Sequence, residues 1–282
     1  MNWFTLTIIS VITLSVATLL QKILIKEDKS DPIAYSIVFQ LMCAVLVAIF
    51  AINKGFTLPA VKNLAPYFIL EAVLYAGSIV FFFKALKTTE VSQVTILSAT
   101  SAFWAIVGGI LFLGESFSLV KVVGSIIIFG SVVLASGKNF KISFGKSNIY
   151  ILVSSFCFGL GLVNDRFILQ SSDPLSYLAI AFFLPGIFLA IISPRSLQKV
   201  KVFFNRRKLI NMFLLAVFYS ISALATYLAF KAGGNASQVV PVTKSQIILT
   251  VILAAIFLGE RDDLLRKLVG AFTVIVGVLM LR

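Results

Sequence analysis

Apolar runs of about 20 residues follow one another along almost the whole chain, with only short polar breaks between them. A helix needs roughly 20 apolar residues to cross the hydrocarbon core of a bilayer. Only 12% of the 282 residues are charged, about half the share found in soluble domains. We therefore predict an all-α integral membrane protein with about ten transmembrane helices, from runs at 3–25, 32–52, 64–86, 89–112, 117–136, 147–170, 174–193, 207–231, 236–258 and 263–281.

Four short patterns occur twice, in the same order, in the two halves of the chain. They are Asp31-Pro32 with Tyr35 and Asp173-Pro174 with Tyr177, Phe83–Ala85 and Phe230–Ala232, Ser92–Val94 and Ser237–Val239, and Phe112–Glu115 and Phe257–Glu260. Ordered recurrence of this kind indicates an internal repeat. The repeats are predicted at 1–141 and 147–282, and since five helices is an odd number, the second is expected to be inverted relative to the first. Inverted repeats are typical of secondary transporters, whose substrate site lies near the midplane.

The segments Leu111–Glu115 and Ile256–Glu260, each followed by a glycine-studded last helix, resemble those of the drug/metabolite transporter superfamily, in particular its ten-helix EamA-like branch. The resemblance spans essentially the whole chain. It implies a central cavity lined by helices one, three, four, six, eight and nine, with the fifth and tenth packed outside. Members of this family carry amino acids, other metabolites, drugs or nucleotide sugars, so the resemblance implies a transporter without naming its cargo.

Two ionisable residues, Glu71 and Lys244, lie well inside predicted spans. A charge near the bilayer centre costs at least about 2.5 kcal/mol and is therefore a candidate functional site. At about 1.5 Å per residue, both lie roughly 10–12 Å into helices that begin on the same side, so they share a depth. We expect Lys244 to receive an anionic group of the substrate and Glu71 an ammonium group or a coupling proton. The alternative is an architectural ion pair, although such pairs are a poor source of stability.

Further candidates for the substrate site lie on the predicted cavity helices. Asp165 is within reach of the same half of the cavity, or is instead solvated or paired with Arg166. Aromatic residues with a polar handle are candidates for the cavity wall: Tyr75, Trp104, Tyr219 and Tyr227.

A basic residue lies at each end of the cavity helices in both repeats. Lys22 and Lys84 fall near one face of the membrane, and Arg166 and Lys231 near the other. One interpretation is a symmetric gate that closes alternately; the simpler one is snorkelling of long side chains to the interface.

Loop charges bear on orientation and on lipid. The run from Arg195 to Lys208 is basic, which indicates a cytoplasmic topology anchor or contact with anionic lipid. The odd-numbered loops carry most of the Lys and Arg, which predicts both termini outside, whereas the resemblance implies both termini in the cytoplasm. The orientation therefore stays open at this point.

The leading prediction is a secondary transporter of the cell membrane that exports small polar metabolites, such as amino acids or organic anions, by alternating access. The alternatives are efflux of lipophilic cations and a lipid flippase. An enzyme is not expected, because the chain has no His and no nucleophile–base set. No cofactor, metal or nucleic-acid partner is expected. The expected partners are a small-molecule substrate, membrane lipid and a coupling proton, in a monomer or homodimer.

Overall fold

The part of the chain that the structure describes is folded into helices. A computed structural model describes residues 2–27, 31–59, 61–113, 119–120, 123–124, 126–127, 130–131, 146–232, 239, 242–243 and 245–280. The helices are α1 (Trp3–Glu27), α2 (Pro32–Asn53), α3 (Val61–Thr88), α4 (Val91–Ser98), α5 (Ser101–Leu113), α6 (Lys146–Leu169), α7 (Pro174–Ile192), α8 (Pro194–Lys199), a 3-10 helix (Val200–Phe204), α9 (Arg206–Lys231), α10 (Gln246–Phe257) and α11 (Leu264–Met280).

The two Asp-Pro pairs start α2 and α7 in the same way. Proline takes the first helical position, where its missing N–H costs nothing. The Asp31 carboxylate accepts the backbone N–H of Ile33 at 2.9 Å, and that of Asp173 accepts the backbone N–H of Ser176 at 2.9 Å. Both aspartates therefore act as N-caps, which explains why α2 and α7 begin where the repeat predicts.

Seven segments of the described chain are long and apolar enough to cross a membrane. They correspond to seven of the ten predicted runs: α1, α2, α3, α4 with α5, α6, α7 and α9. The predicted run 117–136 and the first part of 236–258 fall largely outside the described residues, and α10 is a shorter apolar helix within the latter. The tenth run corresponds to α11.

Large apolar side chains cover much of the outer surface of these helices. Ile52, Leu111 and Phe272 are each more than three-fifths exposed. Soluble monomers rarely expose such extended apolar surface. Lipid is the solvent that this surface fits.

Most helix pairs join the two halves of the chain. Helix α1 packs on α9, α3 packs on α6, and α2 packs on α7. Hydroxyl pairs contribute to these contacts: Ser10 of α1 lies 2.9 Å from the hydroxyl of Ser222 on α9. The halves are thus interleaved rather than stacked side by side.

The predicted run 89–112 is two helices, because the chain turns at Ala99 and Thr100. The hydroxyl of Ser98 donates to the Thr95 carbonyl at 2.8 Å and that of Thr100 to the Leu97 carbonyl at 2.9 Å. Hydroxyl side chains that bond the local backbone compete with the helical ladder. The break therefore has a local cause that continuous hydropathy does not reveal.

The bundle has two ends, which we name after the two capping aspartates. At the Asp31 end, Lys199 at the end of α8 forms a 2.8 Å ion pair with Asp31. At the Asp173 end, the backbone N–H of Thr57, just beyond α2, donates to the hydroxyl of Ser176 at 3.0 Å. Helices α2 and α7 are consequently antiparallel, each beginning where the other ends.

Candidate functional site

A group of buried polar side chains lies between α3, α6 and α7, displaced toward the Asp173 end. Glu71 comes from α3 and is fully buried, and Asp165 comes from α6, one turn before that helix ends at Leu169. Tyr177 is the fourth residue of α7 and is also buried. Three helices from both halves of the chain thus bring two carboxyl groups into one apolar interior.

Two phenol hydroxyls hold the Asp165 carboxyl group. Tyr75 donates to its Oδ2 atom at 2.6 Å and Tyr177 to its Oδ1 atom at 2.7 Å. Hydrogen bonds to an ionised acceptor are about twice as strong as neutral ones. Asp165, left open by the sequence between a solvated and a cavity position, is thereby placed in the interior, while its neighbour Arg166 is exposed.

Glu71 is only partly satisfied. Its Oε2 atom accepts the Asn164 amide at 3.3 Å, and that amide also donates to the Tyr67 carbonyl at 3.0 Å. The Glu71 and Asp165 carboxyl groups lie within hydrogen-bonding reach of each other. Among the described residues, no donor reaches Glu71 Oε1 or Asn164 Oδ1, although both atoms are buried.

Unpaired buried acceptors are uncommon and costly, at about 1–3 kcal/mol each. Glu71 and Asn164, which are hydrogen-bonded to each other, thus each keep one acceptor without a donor, Glu71 Oε1 and Asn164 Oδ1, and each acceptor is suited to a donor from outside the protein. A cationic N–H group or a proton shared between the carboxyls both fit this chemistry. We call Glu71, Asp165, Asn164, Tyr75 and Tyr177 the carboxyl cluster.

Two further tyrosines lie near the carboxyl cluster. Tyr227 of α9 packs against the apolar cluster of Val47, Leu178 and Ala179 and is close enough to interact electrostatically with the carboxyl groups. Tyr67 stacks on Phe167 with ring centroids 4.1 Å apart. Tyr67 and the role of Tyr177 were missed by the sequence reasoning, in which Tyr177 served only as a mark of the repeat.

Other predicted cavity residues lie elsewhere. The Trp104 ring packs edge-on against Phe156 at 5.0 Å, and Tyr219 packs edge-on against Phe39 at 5.0 Å. These contacts place both in aromatic packing away from the carboxyl cluster. Lys244 lies outside the described residues.

The predicted gate residues have different surroundings. Lys22 is buried, and its Nζ atom donates to the Leu86 carbonyl at 2.6 Å and to the Thr89 carbonyl. Lys84 lies over the rings of Phe81 and Tyr150, 5.1 and 5.6 Å from their centroids. Arg166 is exposed at the Asp173 end, and Lys231 ends α9 at the same end.

The Glu260 carboxylate caps the start of α4, in the other repeat. Its Oε1 atom accepts the backbone N–H of Val91 at 2.9 Å. Its Oε2 atom accepts the backbone N–H of Ser92 at 3.1 Å and the Ser92 hydroxyl at 2.7 Å. The glutamate that marks the repeated Phe-Leu-Gly-Glu pattern therefore joins the two halves.

Two lysines hold the same turn between α3 and α4. Lys267 of α11 forms an ion pair with Glu90, and Lys22 of α1 binds carbonyls at the end of α3. Cations at a helix C-terminus and an anion at a helix N-terminus both complement the helix dipoles. The α3–α4 turn is thus held from three sides by Lys22, Glu260 and Lys267, which we call the turn clasp.

Long apolar helices, lipid-facing apolar surface and a buried polar cluster define a multi-pass helical membrane protein. The EamA-like transporter family matches residues 1–137 and 145–282, one match in each half. The chain belongs to this family, and is therefore a membrane transporter, as the resemblance to the drug/metabolite transporter superfamily implied.

Solved structures share the fold. Among the 28 matching chains, one described only as "Crystal structure of protein" has a TM-score of 0.65 over 99% of this chain and 94% of its own, at 14% identity. Identity this low supports the fold alone. No match was found among curated proteins.

Proposed function

We propose that the protein is a secondary transporter that exports small polar metabolites across the cell membrane by alternating access. The observation that carries this proposal is the buried, unpaired Glu71 Oε1 atom beside Asn164 Oδ1. A membrane protein has little structural reason to keep such atoms, since packed apolar residues stabilise a core better than incompletely satisfied polar groups. A site that binds a polar solute does have a reason.

The carboxyl cluster receives either an ammonium group or the coupling proton. A proton between Glu71 and Asp165 satisfies their mutual hydrogen bond, and an ammonium group satisfies Glu71 Oε1 and Asn164 Oδ1 directly. Cargo and proton would then compete for the same acceptors. Lys244, from the sequence prediction, would bind the anionic group of a zwitterionic cargo such as an amino acid.

The helix pairings support inverted repeats. In the repeat, α1 corresponds to α6, α3 to α9 and α2 to α7. The pairs α1–α9 and α6–α3 are therefore equivalent, and α2 pairs with its own counterpart. This is the pattern that a two-fold axis between the antiparallel helices α2 and α7 would produce, and it would allow one repeat to rock against the other.

The turn clasp supports a gate at the Asp31 end. Lys22 was predicted as a gate residue, and its Nζ atom donates to the carbonyls of Leu86 and Thr89. Alternating access through this end requires the α3–α4 turn to separate from α1 and α11. The clasp would therefore be closed when cargo is exchanged at the Asp173 end.

The proposal is tested by ligand-dependent melting of the purified protein. The panel contains amino acids, organic and phosphorylated anions, and quaternary cations; a ligand at a hundredfold excess over its Kd stabilises by about 2.7 kcal/mol. We expect an amino acid to raise the melting temperature, and Glu71→Gln to abolish that rise. The matched control is Asp262→Asn, which removes an exposed carboxylate from a turn at the Asp31 end. This variant should keep the rise in melting temperature.

Proteoliposomes loaded with the stabilising compound then test transport itself. Efflux driven by an inward proton gradient, and lost in Glu71→Gln, is the expected result. If Glu71→Gln binds and transports every compound like the wild type, the carboxyl cluster is not the site.

The second candidate is efflux of lipophilic cations. The observation that favours it is the presence of tyrosines beside two buried carboxyl groups, because carboxylates and aromatic side chains both attract cations. Quaternary cations have no N–H to satisfy Glu71 Oε1, so they would bind through charge and the rings alone. Stabilisation by quaternary cations only, dependent on Glu71 and independent of Lys244, would select this function.

A further inference from the structure

A cavity of about 200 Å³ opens at the Asp31 end, at the start of α9. This space is many times what a single water molecule needs, so the cavity admits a group larger than water. Its lining consists of Leu24, Tyr35, Phe203, Arg207, Lys208, Asn211 and Met212. This site is separate from the carboxyl cluster, which lies toward the opposite end of the bundle.

The polar part of the lining is cationic. Arg207 and Lys208 are the second and third residues of α9, whose first turn carries the positive end of the helix dipole. Arg207 offers a planar fork that fits phosphate oxygens, Lys208 a point charge, and Asn211 an amide donor. The segment from 194 to 212 contains six Lys and Arg residues and no Asp or Glu.

The rest of the lining is mostly apolar, and three of its four residues are buried. Tyr35 and Met212 are 1% exposed, and Phe203 is 3% exposed. On the outer surface of the same segment, Phe204 is 72% exposed and Val202 is 45% exposed. Apolar side chains next to Lys and Arg, on a segment between two membrane helices, are typical of a chain that lies in the interface of a bilayer.

We propose that this cavity binds the phosphate headgroup of an anionic phospholipid from the leaflet at the Asp31 end. The cationic rim takes the phosphate, and the apolar floor and the exposed Phe204 take the adjoining apolar part of the lipid. A soluble anion would use the rim but gain nothing from the floor or from Phe204. Charge complementarity and position at the bilayer surface therefore select the lipid over free phosphate.

The test measures lipid binding to the purified full chain in detergent. Native mass spectrometry counts phosphatidylglycerol or phosphatidylcholine retained per protein, and melting is followed with each lipid and with inorganic phosphate. We expect wild-type protein to retain phosphatidylglycerol in preference to phosphatidylcholine. The double variant Arg207→Gln/Lys208→Gln should weaken phosphatidylglycerol binding by at least about tenfold, since each basic residue near an anionic surface contributes substantially.

The control is Arg195→Gln/Lys201→Gln, which removes the same charge from exposed positions of the same segment outside the cavity. We expect it to retain phosphatidylglycerol nearly as the wild type does. Equal losses in the two double variants would overturn the proposal in favour of diffuse surface attraction. Equal stabilisation by inorganic phosphate and by phosphatidylglycerol would overturn it in favour of a soluble-anion site. Melting of each variant in phosphatidylcholine alone verifies that it is folded.

Discussion

Replacement of Glu260 by glutamine tests whether the Phe-Leu-Gly-Glu pattern exists to hold the two halves together. The carboxylate accepts three hydrogen bonds, from the Val91 N–H, the Ser92 N–H and the Ser92 hydroxyl. Glutamine keeps one oxygen acceptor and replaces the other with an NH₂ group. One of the two backbone N–H groups would then face a donor instead of an acceptor.

The magnitude follows from these contacts. A buried N–H left without its acceptor costs about 1–3 kcal/mol, and loss of the negative charge at the start of α4 costs about 0.3–1 kcal/mol more. The total is roughly 1–4 kcal/mol. At about 2–4 °C per kcal/mol for a protein of this size class, we expect Glu260→Gln to lower the melting temperature by on the order of 8 °C.

The assay is thermal melting in one detergent, with Asp262→Asn as the control for loss of a carboxylate from the same loop. Ser92→Ala removes only the hydroxyl bond and should cost about 1 kcal/mol. Since Glu260 and Ser92 share a bond, the double variant should lose less than the sum of the two single variants. If Glu260→Gln melts like Asp262→Asn, Glu260 does not hold α4 and the reasoning fails.

Two further predictions concern the Asp31 end and the packing of α6. Partial burial opposes ionisation of Asp31, but the hydrogen bonds from Lys199 and the Ile33 backbone, together with the Lys199 charge, outweigh it and lower the pKa of Asp31 below the ordinary 3.8. The variant Asp31→Asn, which keeps the cap, should therefore melt lower than wild type above about pH 4, and the difference should vanish as pH falls through that lowered pKa. A difference that does not change with pH would contradict the ion pair. Gly159→Ala places a Cβ 2.5 Å from the Ser101 carbonyl oxygen, which should cost about 1–3 kcal/mol of stability. Its melting temperature should fall further than that of Gly108→Ala, whose Cβ meets only side-chain atoms. Equal falls in melting temperature would contradict the close backbone contact.

Features encoded by neighbouring residues could be predicted from the sequence. Proline at Pro32 and Pro174, each preceded by an aspartate, predicted where α2 and α7 begin, and the structure confirms both starts. Hydropathy predicted the remaining long helices because a spanning helix needs a continuous apolar run. It failed at Ala99, where hydroxyl side chains end a helix inside such a run.

Features that depend on distant residues could not be predicted in detail. Glu71 and Asp165 were predicted as candidates for the same half of a cavity, but the hydrogen bonds of Asn164 with Glu71 and of Tyr177 with Asp165 were not. Glu260 was seen only as a mark of the family, because nothing near it in sequence indicates that Ser92 is its partner. Such pairings are decided by the packing of the helices, which local patterns do not encode.

The pairing of α1 with α9 also affects how the protein is made. Ser10 leaves the ribosome long before Ser222, its hydroxyl partner, has been translated. Until α9 enters the bilayer, Ser10 lacks both of its hydroxyl partners, Ser222 and Thr226, and α3 lacks its contacts with α6. Helices α1 and α3 therefore complete their packing only after the second half of the chain has been synthesised and inserted.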